Sequence, residues 1–249
     1  MKFYCAGAEV STGKEERENT LNPMWYRSLP MQIICDNVED APPVIVYVMD
    51  HDMGLDDDDL LGICVVNLDV AAMNSPEPVR PEWYQLSMGK PGSELGEILM
   101  SFNVFSTSSI PSFNLMPEVT DTTVEINVLG LRDLTPAVGW VPVNKPFVKF
   151  DLNSLQIPGE ELKIRNVQTQ PVETGTNPNI NTVIRFDMKM PVDPLFCPAL
   201  TASVYDYLFM GLSQPLIGTF VIELGSIFHK VKKPKVRAKK IVSLLKKAQ

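Results

Sequence analysis

The chain has 249 residues, 45% of them hydrophobic and 21% charged, with a net charge of −8. That is the balance of a folded soluble protein with a core, in one large domain or two of ordinary size. The 21 prolines exclude long uninterrupted helices, because each removes a backbone donor and crowds the preceding turn. No apolar stretch approaches the ~20 residues that span a bilayer, and the run at residues 1–8 is too short for a secretory signal.

Taken in chain order, the predicted elements are short strands. Residues 44–49 are rich in β-branched and aromatic side chains and end at an aspartate. Residues 63–68 follow a tight loop closed by Gly62. Residues 97–105 (EILMSFNVF) alternate well, and the polar, proline-bearing stretch 106–120 reads as a linker. Further strands are predicted at 124–129, 147–152, 183–188, 200–205 and 219–224. Many short strands between Pro/Gly/Asn turns point to antiparallel β-sandwiches.

A repeat organises these strands. PPVIVYVMDHDMGLDDDDLLG at 42–62 aligns without a gap on PALTASVYDYLFMGLSQPLIG at 198–218, an offset of 156. It sets Asp50 on Asp206 and Leu60-Leu61-Gly62 on Leu216-Ile217-Gly218. Upstream, Thr20-Leu21-Asn22-Pro23 faces Gly175-Thr176-Asn177-Pro178 at an offset of 155. Matched segments at a nearly constant offset mean two copies of one unit.

Charge is divided unevenly. Residues 230–249 hold nine Lys/Arg and no acid, leaving residues 1–229 with 13 basic against 30 acidic groups, a net −17. An acidic body suits a cation or basic partner and a basic tail suits an anionic surface. The four cysteines (Cys5, Cys35, Cys64, Cys197) show no metal or redox spacing, which suggests reduced thiols in the cytoplasm.

Three constellations stand out. The first is the loop from Asp50 to Asp59, with Asp50, Asp52, Asp56, Asp57, Asp58 and Asp59 around an apolar tip of Met53-Gly54-Leu55. Ca2+ takes several hard oxygen ligands at one point, and without a cation each close carboxylate pair repels by about 1 kcal/mol at a solvated surface. The plain alternative is a solvated acidic loop, and the spacing does not fit an EF-hand. The second lies in the other copy, where Leu208, Gln214 and Pro215 stand in place of Asp52, Asp58 and Asp59. Its preceding loop, 135–145, has no acid, so cation binding there is not expected. These loops are apolar instead: Val138, Trp140 and Val141 in one, Tyr207, Leu208, Phe209, Met210 and Leu212 in the other. Such clusters mark an interface or pack on one another, and Trp140 suits a wet–apolar boundary. The third is the tail: Lys230, Lys232, Lys233, Lys235, Arg237, Lys239, Lys240, Lys246 and Lys247. Basic runs attract anionic leaflets by ~1 kcal/mol per residue near the surface, or they are solvated linkers. Ile241-Val242 and Leu244-Leu245 would give the tail a short amphipathic helix. It lacks interleaved aromatics, so nucleic acid is not an expected partner. No catalytic motif occurs: the chain has two histidines, outside any metal or triad pattern.

NTLNPMWY at 19–26, MDHD at 49–52, DDLLG at 58–62, WYQL at 83–86 and GEILMSF at 96–102 resemble a C2 domain. LGLRDL at 129–134, TNPN at 176–179, FCPALTASVYD at 196–206 and PLIGTF at 215–220 are similar to an internal C2 domain of the ferlin family, and the resemblance covers residues 1–228. It implies two antiparallel C2-type β-sandwiches in tandem: 1–105, then the linker 106–120, then 121–228, then a basic tail 229–249. It implies that the first copy lacks its opening strands, with the strand at Phe3-Tyr4 matching the one at Phe147. The second copy has no counterpart of 83–105, its closing strand being absent or replaced by the tail. It further implies Ca2+ ligands at Asp50, Asp52 and Asp58, with Asp59 replacing Asp58 depending on where the loop's extra residue falls. The function implied is peripheral binding of anionic phospholipid in calcium-linked vesicle trafficking, fusion or repair, within a parent anchored elsewhere. The rival is a non-enzymatic scaffold contacting other ferlin domains or trafficking proteins without lipid.

Overall fold

A computed structural model describes residues 1–13, 20–50, 58–69, 73–89, 95–106, 110–152, 155, 167–173, 175–230 and 242–243. The chain divides into two compact units, the first comprising Met1–Glu16 and Arg27–Leu115, the second Arg17–Tyr26 and Met116–Gln249.

In unit 1, β1 (Lys2–Cys5), β2 (Ala8–Ser11), β3 (Val44–Asp50) and β4 (Asp59–Val66) form one sheet, ordered β2-β1-β3-β4. A two-stranded sheet of β5 (Glu82–Gln85) and β6 (Glu97–Met100) completes the strands described for this unit. The alternation read from the sequence puts one face inward: Val44, Val46, Cys64, Val66, Leu86 and Ile98 are buried together, as period-2 side chains require. In unit 2, β7 (Val119–Gly130) pairs with β10 (Asn179–Pro191) over almost its whole length. The facing sheet is built from β8 (Pro146–Phe150), β9 (Val167–Gln168), β11 (Ala199–Asp206) and β12 (Leu216–Glu223), in the order β12-β11-β8-β9. Between the sheets lie Phe150, Leu200, Val148, Ile126, Val128 and Met190, nearly or fully buried. Each such side chain contributes about 1.5–3 kcal/mol by leaving water.

The repeat is visible bond by bond. The ladder β3–β4 slips between Val48 and Met49, and the ladder β11–β12 slips between Val204 and Tyr205. Those positions are 156 apart, so both copies carry the same bulge beside the glycine that closes the loop (Gly62, Gly218). The short 3-10 turns Val38–Asp40 and Pro194–Phe196 are likewise 156 apart. At the outer edge, Thr169 accepts the Val148 N–H at 3.0 Å and donates its own N–H to the Val148 carbonyl at 2.8 Å. Thr12 does the same with Met1, at 2.9 and 3.1 Å. Phe3 lies opposite Val46 and Phe150 opposite Ala202. Phe3 is therefore the counterpart of Phe150, three residues further along the strand than the match to Phe147, because ladder register and not motif spacing sets the correspondence.

Three features depart from the sequence expectation. Residues 20–26, aligned with the first copy, belong to unit 2. There Thr20 donates to Asp151 at 3.1 Å and Asn22 to Thr201 at 2.9 Å. Tyr26 packs on Phe196, and its burial pushes the phenol up to about 12. A helix, α1 (Leu224–Lys230), follows β12 directly, with Leu224 buried and Ile227 and Phe228 against the core. In the tail, where the sequence predicts a helix over 241–245, the described residues form β13 (Val242–Ser243), parallel to Ile126–Asn127 of β7. The unsatisfied edge of β7 offers backbone partners that an isolated short helix lacks.

The motifs LGLRDL and TNPN interlock. Leu131 N–H bonds the Pro178 carbonyl at 2.9 Å and Arg132 reaches Pro178 and Asn179. A Cβ on Gly130 would lie 2.4 Å from that carbonyl oxygen. Gly130→Ala is expected to destabilise unit 2 by about 1–3 kcal/mol, read by urea unfolding; an unchanged midpoint would refute the close approach. For Tyr26, burial favours the neutral phenol, so its contribution to stability is full below pH ~10 and is lost as pH rises towards the folded value of about 12. An alkaline absorbance titration should show a late-titrating tyrosine that Tyr26→Phe removes.

Candidate functional site

The acidic loop springs from the end of β3. Asp50 is its last residue and Asp59 the first of β4, and the two are direct ladder partners. Both are exposed, as is Asp58. Asp52, Met53 and Leu55, with Asp56 and Asp57, lie outside the described residues. Among the described residues no cluster of three or more His, Cys, Asp or Glu is arranged to hold a metal. Asp50, Asp58 and Asp59 are donors of the kind Ca2+ takes, but three carboxylates fill only part of its shell of about 6–8 oxygens.

In unit 2 the equivalent aspartate has another occupation. Asp206 is 4% exposed. Its carboxylate accepts the Asn144 N–H at 3.0 and 3.2 Å and the Lys145 N–H at 2.8 Å. The next residue extends the link, Tyr207 N–H donating to the Lys145 carbonyl at 3.1 Å. Charge-assisted bonds of this kind are about twice as strong as neutral ones. Asp206 thus fastens the 135–145 loop to the end of β11. Lys145 pairs with Glu173, whose carboxyl is held below its ordinary value by that hydrogen bond. The aspartate that the second copy keeps from the acidic loop is a clamp.

Above the clamp stands a tight tip. Leu208 bonds Ser213 in both directions, at 2.9 and 3.4 Å, and its carbonyl also accepts Gly211 N–H at 2.9 Å. Phe209, Met210 and Gly211 all have positive φ (50°, 57° and 91°). Only glycine takes this conformation freely, and each bulky residue there costs on the order of 1 kcal/mol. The Tyr207 hydroxyl donates to the Met210 carbonyl at 2.9 Å and its ring lies under Gly211. The strained turn lifts Phe209, Met210 (90% exposed) and Leu212 (88%) into solvent. Leu208, read from the sequence as a contact residue, is instead 5% exposed and anchors the tip. On the clamped 135–145 loop, a turn closed from Val141 N–H to the Val138 carbonyl leaves Trp140 82% exposed and Val141 half-buried.

Of the basic tail, Lys230 closes α1; Lys232, Lys233, Lys235, Arg237, Lys239 and Lys240 lie outside the described residues. Sequence reasoning missed the clamp and the left-handed turn. Gly211 was the one available signal for the turn, since Phe and Met have no preference for that backbone.

The C2-domain family profile matches residues 1–86 and 122–239. The chain belongs to the C2 domain family. Ferlin 2 of Toxoplasma gondii is 24% identical over 254 residues, covering 83% of this chain and 18% of that protein, which makes this a ferlin-like C2 protein spanning under a fifth of its relative. A C2 domain of plant Extended Synaptotagmin 1 aligns with 41% of the chain and 68% of its own length at 24% identity and a TM-score of 0.31, too loose a superposition to bear on the fold. Among the described residues no helix is long and apolar enough to cross a membrane.

Asp206→Ala strands two N–H groups and is expected to cost about 2–3 kcal/mol, while Asp50→Ala, at an exposed position, should change stability by less than about 0.5 kcal/mol. Equal effects in denaturant unfolding would remove the distinction between clamp and open carboxylate.

Proposed function

We propose that this chain is a peripheral membrane-binding pair of C2 modules, occupying 1–105 and 121–228 with a linker 106–120 and a basic tail 229–249. The observation that carries the reading is the strained tip of unit 2. Backbone cost is incurred there to hold Phe209, Met210 and Leu212 in water, which is favourable only if something apolar receives them. Trp140 on the neighbouring loop has the amphipathic ring that settles at a lipid–water boundary. Val141 and the tip at Met53 and Leu55 of unit 1 join them in this reading. Asp50, Asp52, Asp58 and Asp59 would take up Ca2+ as part of a shell, bridging it to lipid phosphate. The lysines of the tail, with Arg237, add a salt-sensitive attraction to anionic headgroups. The setting is the cytoplasmic face of a membrane in a ferlin-like protein of vesicle trafficking, fusion or repair, with other ferlin domains or trafficking proteins as neighbours.

Co-sedimentation with phosphatidylserine-containing vesicles, with and without Ca2+, tests this. Binding is expected without Ca2+, strengthened by it, and weakened by salt. Replacing Phe209, Met210 and Leu212 together with Ser should lower partitioning more than about tenfold, since each large side chain that leaves water contributes about 1.5–3 kcal/mol. No binding to anionic vesicles in either condition would sink the proposal in favour of a lipid-independent scaffold.

A further inference from the structure

The two loops that carry the exposed apolar side chains of unit 2 hold very little charge. Residues 135–145 contain one charged residue, Lys145, and residues 206–215 contain one, Asp206. Asp206 is buried, and its carboxylate is taken up by the Asn144 and Lys145 N–H groups. Among the described residues of the two loops, Lys145 is therefore the one charged side chain in contact with solvent. Backbone bonds on both sides fix its place. Its N–H donates to Asp206 and its carbonyl accepts the Tyr207 N–H, one residue before the tip begins at Leu208. On the other flank, the Val172 N–H donates to the Pro146 carbonyl at 3.2 Å and the Gly175 N–H to the Asn144 carbonyl at 3.3 Å. These bonds set Glu173 beside the Lys145 ammonium. The lysine side chain is 35% exposed and that of Glu173 75%, and an exposed ion pair contributes so little to stability that another anion can take the carboxylate's place.

We propose that the Lys145 ammonium is a phosphate-binding group, taking the phosphodiester of an anionic lipid headgroup in exchange for Glu173. The inference rests on the membrane reading above and names the headgroup contact within it. A bilayer that receives Phe209, Met210 and Leu212 brings its headgroup layer to the root of the tip, where Lys145 stands. A lysine stem lies along apolar surroundings while its ammonium stays at the polar boundary, and the ammonium binds phosphate as a compact point charge. The displaced Glu173 carboxylate, already mostly exposed, is left in water. The two units then differ in the source of positive charge. In unit 1 the exposed carboxylates of Asp50 and Asp59 meet an anionic headgroup only through a cation. In unit 2 the cation is a side chain, and no metal ion is needed.

The test is co-sedimentation of the full chain, in chelator, with vesicles of phosphatidylcholine alone and with added phosphatidylserine. Lys145→Met keeps the stem and both backbone bonds, so the urea midpoint should hold. Its partitioning to phosphatidylserine vesicles should fall about fivefold, as for a basic residue at the surface, with little change on phosphatidylcholine. Lys145→Arg should retain binding. Lys189→Met removes a cation paired with Asp121 at the far end of β10 and should weaken binding much less. Glu173→Gln frees the ammonium and should strengthen binding more than Asp121→Asn does. Equal losses for Lys145→Met and Lys189→Met would reduce the effect to net charge and overturn the proposal, as would equal effects of Glu173→Gln and Asp121→Asn. Saturable calorimetric binding of inorganic phosphate that Lys145→Met abolishes would overturn the headgroup assignment in favour of a soluble anion. If Lys145→Met sediments as the unaltered chain does, this inference falls and the membrane reading stands; if the unaltered chain binds no vesicle, both fall.

Discussion

The carboxylate of Asp206 is the interaction on which the candidate site depends. It sits where β11 ends, in a nearly dry position, with two backbone N–H groups of the 144–145 segment as its partners. An ionised group there would be costly if unpaired. Paired, it holds the 135–145 loop, carrying Trp140, beside the root of the 208–213 tip. The tip has its own internal restraint, from Tyr207 to the Met210 carbonyl. Exposed apolar side chains are thus carried on two braced loops, a cheaper state from which to bind a surface than a freely moving one.

The same strand end in the first copy is chemically opposite. Asp50 is exposed and faces Asp59 across the ladder, so repulsion there is relieved only by solvent or by a cation. One scaffold position serves two purposes: a buried backbone clamp in unit 2, and in unit 1 an exposed carboxylate set against a second one. The aspartate is common to both copies; what surrounds it separates their roles.

The common architecture of the two copies explains why so divergent a repeat still folds alike. The bulge between Val48 and Met49 recurs between Val204 and Tyr205, and the threonine bracket on the outer strand recurs at Thr12 and Thr169. A bulge leaves one residue unpaired and raises the local twist. The acidic loop and the apolar tip both begin there. These are backbone devices, tolerant of side-chain change except at the threonine, whose hydroxyl is one half of the bracket.

The alternation of apolar residues in 44–49, 183–188 and 200–205, and the constant offset between the copies, determined by themselves that the chain is a pair of antiparallel β units, since the pleat forces inner and outer residues to alternate. The acidic loop and the apolar loops were also legible, being matters of composition. The sequence did not reveal that Leu208 turns inward while Phe209 and Met210 turn out, because the left-handed backbone that reverses them has no signature in bulky residues. Nor did it reveal the clamp at Asp206, whose partners lie 61 and 62 residues away. Residues 20–26 carry the first copy's motif yet find their hydrogen bonds at Asp151 and Thr201 of the second unit. Only the tertiary structure decided these points, because local pattern specifies which faces are apolar, whereas a buried polar group takes whichever partner the completed fold brings within reach.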